Sequence, residues 1–294
     1  MKRKGNLYKK LLDMENIEKA FNEVIAHTKN KQKVQNYKEF KCVYISRIYN
    51  VLLNREYEVG PYNVFTIYEP KKRRRVSQNL HDKVINHLVS REILYPTLMP
   101  CLIKENVASI KIKGTSFGLK LVNEYHRICK IKYQNYYILK CDISKFFASI
   151  DKEILKEKLK TRIKDKEALN IVFKIIDSEE TGLGIGNMTS QILAIFYLND
   201  MDHYIKEELK IKYYIRYQDD FLLFNESKEY LKICLNKIVK FLEKESLKLN
   251  VKTRIYKNTN NFLFLGRNKK GNYGKYKEVT KKLKKKYYLY KTEK

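Results

Sequence analysis

Two segments place acidic residues where metal-dependent chemistry is favoured. Asp142 directly follows the apolar segment 136–141, and Asp219 and Asp220 interrupt the aromatic-rich segment 214–224. Each carboxylate would lie at the end of a predicted strand, where limited solvation makes negative charge costly. Three such carboxylates repel one another unless divalent cations lie between them. Two-metal phosphoryl or nucleotidyl transfer requires this arrangement, so the pattern predicts a nucleic-acid polymerase.

The charge balance is consistent with a polyanionic partner. Lys and Arg number 62 against 33 Asp and Glu, which gives a net charge of +29 in a chain that is still 44% hydrophobic. A folded protein with this surplus typically binds a polyanion, most often nucleic acid. A lysine-rich coding bias is the alternative explanation.

Length and composition limit the other classes. A chain of 294 residues can form one large or two modest domains. It contains no run of eighteen apolar residues, and its first residues show no apolar signal region, so we expect no membrane span. The five cysteines lack paired spacing, which argues against zinc or a disulfide framework and makes a reducing cytoplasm the default location.

Apolar periodicity predicts a mixed α and β chain. Helices are expected over 7–55 and over 81–94, where Pro96 and Pro100 interrupt the helical stretch. Another helix is expected after the basic turn at 111–116 and through Tyr125. Further helices are expected from the N-cap Asp151 to 163, over 189–208 and over 230–247. Strands are expected over 64–68, 136–141, 247–253 and 262–265, with a hairpin at the acidic pair.

Two further segments could bind phosphate. The run 71–75 is predicted to form the tip of a hairpin, either as a solvated loop or as a loop that closes on a triphosphate through bidentate arginines. The glycine-rich segment 182–187 is a weak phosphate signal by itself. It is neither a Walker loop nor a convincing dinucleotide fingerprint, because the residues around it differ from both motifs.

The order of these features resembles that of reverse transcriptases from about Gly5 to Gly266. Residues 217–220 (Tyr-Gln-Asp-Asp) resemble the family's Tyr-x-Asp-Asp box, and Asp142 resembles its first metal-binding aspartate. The resemblance implies an α+β right-hand polymerase with fingers, a palm built on an antiparallel sheet, and a minimal helical thumb. The implied division is 1–135 for N-terminal helices, fingers and early palm, 136–266 for the catalytic palm, and 267–294 for a short basic thumb or C-terminal tail.

Finer features resemble a bacterial subgroup. Residues 186–191 are similar to the Gly-x-x-x-Ser-Gln signature of reverse transcriptases from diversity-generating retroelements, and 2–8 and 65–73 also resemble that group. Related bacterial enzymes include antiphage defence reverse transcriptases. The departures from the family pattern are His81-Asp82-Lys83 for Arg-Asp-Arg, Gly184 for Pro, Ile185 for Gln, and an uncommon Gln218.

The resemblance implies roles for individual residues. The implied metal ligands, for two Mg²⁺ ions with Mn²⁺ as a substitute, are Asp142, Ile143, Asp219 and Asp220. Ile143 is expected to offer its backbone amide to a phosphate and to bury its side chain. The implied nucleotide-binding residues are Lys72, Arg73, Arg74, Phe147, Ile185, Gln191 and Lys252. The implied primer and template contacts are Tyr217, Gln218, Phe264, Leu265 and Gly266.

Several of these roles have structural alternatives. Phe147 is expected to exclude a ribose 2′-hydroxyl, with Phe146 as the rival and core packing as the alternative. Ile185 could loosen base selection or simply pack, and Lys252 could act on pyrophosphate or remain solvated. In the tail, Tyr287, Tyr288 and Tyr290 could stack on bases or belong to a fraying end.

The expected activity is synthesis of cDNA from dNTPs on an RNA template with a DNA or RNA primer. The expected setting is a diversity-generating retroelement, with a structured noncoding RNA or a small basic accessory protein as further partner. The alternatives are an antiphage-defence enzyme that acts with a dedicated noncoding RNA, and a catalytically silent RNA-binding polymerase fold.

Overall fold

The computed structural model describes residues 3–68, 73–184 and 186–267. The α-helices are α1 (Met14–Ala26), α2 (Lys31–Glu39), α3 (Lys41–Leu53), α4 (Leu80–Val89), α5 (Tyr95–Leu98), α6 (Thr115–Tyr133), α7 (Phe146–Ser149), α8 (Lys152–Lys160), α9 (Lys166–Asp177), α10 (Met188–Tyr197), α11 (Asn199–His203) and α12 (Lys228–Lys244). The strands are β1 (Asn63–Ile67), β2 (Arg73–Ser77), β3 (Tyr137–Asp142), β4 (Tyr213–Tyr217), β5 (Asp220–Asn225) and β6 (Arg254–Lys257). Within these ranges no helix is both long and apolar enough to cross a membrane.

The described chain forms two compact units, each built from separated segments. The first unit contains 3–103, 145–202 and 243–247, and the second contains 104–144, 203–242 and 248–267. The boundaries of these units differ from those of the polymerase subdomains that the resemblance implies. The division into 1–135, 136–266 and 267–294 stays a prediction.

Helices dominate the first unit. The predicted helical character of 7–55 is confirmed: a 3₁₀ turn at Tyr8–Leu12 leads into α1, α2 and α3. Asp13 caps α1 by accepting a hydrogen bond from the Glu15 amide at 2.9 Å. The buried residues of α1 recur at helical spacing, so one face of the helix enters the core.

The first unit also contains the predicted hairpin. β1 and β2 pair antiparallel from Asn63 opposite Ser77 to Ile67 opposite Arg73. The prediction that the whole basic run forms the tip is wrong for Arg73, Arg74 and Arg75, which belong to β2. Backbone pairing with β1 extends through these residues. A run of like charges in the sequence does not predict such pairing. Lys71 and Lys72 lie outside the described residues.

The second unit is built on a four-stranded antiparallel sheet of order β4-β5-β3-β6. Helix α6 packs on one face of this sheet and continues past the predicted end at Tyr125, because Cys129 extends its buried stripe. The apolar core on that face consists of Val107, Val122, Tyr125, Cys129, Tyr136, Ile138, Tyr213, Ile215, Leu222, Phe224, Phe262 and Phe264.

Several predicted elements differ in the structure. The predicted strand 247–253 is reduced to a single bridge at Leu249, which is followed by a turn. The strand itself, β6, begins after this turn at Arg254. The turn forms because Asn250 accepts the amide of Lys252 on its side chain and the amide of Thr253 on its carbonyl.

Several helix and strand ends also differ from the predicted ones. Pro96 does not break its helix, because it lies in the first turn of α5, where a missing N–H is tolerated. The helices predicted over 81–94 and 189–208 each end in a π-helical turn, at Ser90–Leu94 and Tyr204–Glu208. The predicted strand at 262–265 is reduced to one bridge between Phe264 and Arg267.

Gly182 holds the glycine-rich segment against the start of α7 within the first unit. Its φ is +55°, and a Cβ at this position would lie 2.1 Å from the carbonyl oxygen of Phe147. The next amide, of Leu183, donates to that same oxygen at 2.8 Å. Only glycine therefore permits this approach of the two backbones.

Replacing Gly182 by alanine should destabilise the protein by about 1–3 kcal/mol, because the methyl group clashes with backbone at a left-handed φ. Urea denaturation would measure the change. Gly5→Ala is the matched control, since a Cβ there meets no atom within 4 Å, and it should change stability by less than about 0.5 kcal/mol. Equal effects of the two variants would contradict the packing argument.

Candidate active site

The sheet of the second unit brings the three predicted acids to one end. Asp142, the last residue of β3, is directly opposite Asp220, the first residue of β5. β4 and β5 are joined by a two-residue turn, Gln218 and Asp219, in which Gln218 has φ +57°. Opposite residues of an antiparallel pair point to the same face, so Asp142 and Asp220 share the face on which the core packs.

Backbone contacts also fix the position of Asp219. The amide of Ile143 donates to the Asp219 carbonyl oxygen at 3.2 Å, which ties the turn to the end of β3. The turn therefore uses the Ile143 amide in this structure, and the expected role of that amide towards a phosphate stays a prediction. The side chain of Ile143 is 2% exposed and belongs to the core, as expected.

The carboxylate of Asp220 already has a cationic partner. The ammonium of Lys140 lies 2.5 Å from Asp220 Oδ1, and the two side chains are 20% and 24% exposed. Burial raises the pKa of Asp220 to about 6, against the opposing effect of Lys140 and with a further increase from Asp142 and Asp219. Sequence reasoning missed Lys140, although its position two residues before Asp142 on a strand places it on the same face.

The donor chemistry of this end fits a divalent cation. Asp142, Asp219 and Asp220 offer the carboxylate oxygens that Mg²⁺ and Mn²⁺ favour. Among the described residues, however, no group of three or more acidic, histidine or cysteine side chains is already arranged to hold a metal ion.

A buried arginine supports the acidic turn from the other face of the sheet. Arg216 is 0% exposed and donates from its guanidinium to the carbonyl oxygen of Gln218 at 3.0 Å. Its backbone accepts from the Val107 amide at 3.0 Å and donates to Glu105. Sequence reasoning missed Arg216 as well, and its only signal was a charge within an otherwise apolar strand.

The segment 105–109 also contacts the turn through side chains. Ser109 Oγ accepts a hydrogen bond from Gln218 Nε2 at 3.0 Å, so the uncommon middle residue of the Tyr-x-Asp-Asp box has a defined partner. Both side chains are polar and neutral, and the contact orients Gln218 without adding charge beside the acids.

The other side of β3 meets the turn that contains Lys252. The Asn250 amide donates to the Asp142 carbonyl oxygen at 2.7 Å, and the Ser144 amide donates to Lys248 at 2.9 Å. Lys252 lies two residues beyond Asn250 and is exposed. Lys252 is therefore close in sequence to a residue that contacts the end of β3.

The predicted primer-contacting segment forms a tight turn. Phe264 and Arg267 exchange both backbone hydrogen bonds, at 2.9 and 3.0 Å, and Leu265 and Gly266 between them have φ of +51° and +74°. Phe264 is 2% exposed, and the Lys140 ammonium lies 5.7 Å from the centre of its ring.

In the first unit, the two candidate gate residues differ in exposure. Phe146 is 2% exposed and belongs to the core, whereas Phe147 is half-buried, with the two ring centres 5.7 Å apart. The half-buried ring is the one available to a ligand, which favours Phe147 over its rival. Gln191 is exposed on α10, while Ile185 lies outside the described residues.

Two other features of the sequence are the departure at His81-Asp82-Lys83 and the basic tail. Asp82, at the departure from Arg-Asp-Arg, is 1% exposed and accepts hydrogen bonds from the Tyr57 hydroxyl, the Gly60 amide and the Asn79 side chain. This carboxylate therefore ties α4 to the chain before β1. The basic tail, with its tyrosines, lies outside the described residues.

Comparison with known proteins decides the family. A sequence model described as reverse transcriptase (RNA-dependent DNA polymerase) matches residues 63–268, which include every acidic residue of the site. The chain belongs to this family. This is the family that the order of motifs resembled. No curated protein matches the sequence.

Solved telomerases share the fold. The structure of apo telomerase from Candida tropicalis, truncated from its C-terminal domain, superposes with a TM-score of 0.55 at 13% identity over 80% of this chain and 58% of that one. Telomerase from Candida albicans in complex with a TWJ fragment of telomeric RNA gives 0.54 at 14% identity over 79% and 48%. The reverse transcriptase thus spans about half the length of these telomerases. The likeness confirms the predicted α+β polymerase fold.

Replacing Arg216 by methionine should lower the free energy of unfolding by about 1.5–3 kcal/mol, because it removes a charged hydrogen bond inside the protein. Primer extension should fall as well, since the acidic turn loses its support. Urea denaturation and an extension assay would measure the two effects. Arg127→Met, an exposed residue of α6, is the control and should leave both nearly unchanged. A wild-type urea midpoint for Arg216→Met would contradict the support role.

Proposed function

We propose that this reverse transcriptase copies RNA into DNA by two-metal nucleotidyl transfer. The observation that supports the proposal most directly is the β3–β5 register, which sets Asp142 opposite Asp220 with Asp219 in the adjoining turn. Burial already raises the pKa of one of these carboxylates, and acids with such shifted pKa values cluster at functional sites.

The second unit would carry the chemistry. Asp142, Asp219 and Asp220 would hold the cations, with Ile143 beside them in the backbone. When bound, two Mg²⁺ ions lower the pKa of the primer 3′-hydroxyl and neutralise the triphosphate. The remaining contribution of the protein is positioning and charge neutralisation.

Other residues of the second unit would position the substrates. Lys252, exposed on its turn, would act on the leaving pyrophosphate. Tyr217 and Gln218 would contact the primer and template. The turn at 264–267 presents Leu265 and Gly266, and it would hold the primer end while Phe264 anchors it in the core.

The first unit would contribute nucleotide selection. Phe147 would lie under the incoming sugar and exclude a 2′-hydroxyl, and Gln191 with Ile185 would line the base-pairing pocket. Lys72, Arg73 and Arg74 would bind the triphosphate. Arg73 and Arg74 belong to β2 of the hairpin.

The biological setting is proposed from sequence features. The segment 186–191 supports a bacterial diversity-generating retroelement, with a structured noncoding RNA or a small basic accessory protein as partner. Antiphage defence with a dedicated noncoding RNA is the second candidate, since related sequences serve that role. The net charge of +29 supports nucleic acid as the partner in either case.

The proposal is tested by primer extension on an RNA template with Mg²⁺ and dNTPs. Asp142→Asn, Asp219→Asn and Asp220→Asn should each reduce extension by at least about 100-fold, because a charge-stabilising group is lost in the transition state. Glu229→Gln, an exposed acid at the start of α12, should behave like wild type.

Extension by the wild type alone supports the polymerase. If the wild type fails to extend, even with RNA from its native locus, while it still binds that RNA, the catalytically silent RNA-binding fold replaces the proposal.

Replacing Phe147 by alanine should raise the use of rNTPs relative to dNTPs on the order of 10- to 100-fold, because the ring no longer excludes the 2′-hydroxyl. The ratio of kcat/KM for a dNTP and its rNTP would measure this. Phe146→Leu is the matched control, and it should lower stability without changing the ratio. A larger change of the ratio in Phe146→Leu would assign the gate to Phe146.

A further inference from the structure

Lys140 occupies an unusual position for a cation. It lies on β3 two residues before Asp142 and on the same face of the sheet, and its ammonium contacts Asp220 Oδ1 at 2.5 Å. That oxygen belongs to one of the carboxylates proposed to ligate a divalent cation. Lys140 and the metal therefore compete for the same donor group.

The surroundings of Lys140 direct it towards Asp220. Arg254 of β6 is directly opposite Lys140 on the other neighbouring strand, and like charges in opposite positions repel. The ring of Phe264 lies 5.7 Å from the ammonium and covers a further side. Since the side chain is only 20% exposed, solvent screens the Asp220 contact incompletely.

The charges at this end of the sheet favour an exchange in which a divalent cation replaces Lys140 at Asp220. Asp142, Asp219 and Asp220 carry three negative charges together, and Lys140 neutralises one of them without any metal. Lys140 also occupies a carboxylate oxygen of Asp220 that a metal ion would use as a ligand.

We propose that Lys140 is an internal counter-cation that holds Asp220 until a divalent cation displaces it, and that it thereby sets the metal affinity of the site. This inference rests on the proposed two-metal function. Lys140 is a positioning residue here, because it acts through Asp220 and not on substrate.

The first test measures Mn²⁺ binding to the full chain at pH 8 by the electron paramagnetic resonance signal of free Mn²⁺. Lys140→Gln should bind Mn²⁺ about 3- to 10-fold more tightly than wild type, because a half-buried competing charge is gone. Lys140→Arg should remain near wild type. Lys232→Gln, an exposed lysine of α12, removes the same charge elsewhere and should not change the affinity.

A double variant tests whether the change in Mn²⁺ affinity depends on Asp220. With Asp220→Asn already present, Lys140→Gln should no longer tighten Mn²⁺ binding. A merely structural role of Lys140 would weaken binding or leave it unchanged in both backgrounds. Unchanged or weaker binding by Lys140→Gln alone overturns the inference.

A second measurement uses the wild type and does not depend on the folding of a variant. Acetylation of Lys140 under limiting reagent, followed by peptide mass spectrometry, reports how accessible its amine is. Saturating Mn²⁺ should raise the acetylation of Lys140 several-fold and leave Lys232 unchanged. Equal acetylation with and without Mn²⁺ overturns the exchange.

The two proposals fail in different ways. If Mn²⁺ binds the wild type and Asp142→Asn weakens that binding, the metal site stands, and the Lys140 results decide the inference alone. If Asp142→Asn and Asp219→Asn bind Mn²⁺ as the wild type does, the metal site itself is wrong and the inference falls with it.

Discussion

The antiparallel pairing of β3 with β5 is the constraint on which the site depends. It places Asp142 opposite Asp220, and through the two-residue turn it places Asp219 next to both. Pairing three acids in this way is unfavourable by itself, so the rest of the sheet must hold the register. The apolar face under α6 does this, because a slip of one residue would turn Ile138, Leu222 and Phe224 away from the core.

Two cationic side chains contact the acidic end, one from each face of the sheet. Arg216 is fully buried and bonds to the backbone of the turn, which fixes where the acids are held. Lys140 bonds to a carboxylate directly, which affects how readily that acid can take a metal ion. Their partners explain the difference in role, since a carbonyl oxygen remains with its arginine while a carboxylate can exchange one cation for another.

In the first unit, a close backbone contact and a buried carboxylate hold separate segments together. Gly182 lets the glycine-rich segment touch the carbonyl of Phe147, and Asp82 joins three groups from 57–79 to the start of α4. Both features lie where the sequence departs from common patterns or carries a weak motif. The structure gives both residues a packing role within the first unit.

Local patterns of strand, acid, turn and aromatic run were enough to predict the family and the class of fold. They also singled out the three acids that the structure brings to one end of a sheet. The sequence also predicted the N-terminal helices and the cap at Asp151, which depend on residues close together in the chain. The folded chain was needed to show that Arg73–Arg75 belong to a strand, that 250–253 is a turn, and that Lys140 and Arg216 contact the acidic end. Each of these depends on pairing between residues far apart in sequence, and a periodic pattern contains no information about which partner a strand or a charge will meet.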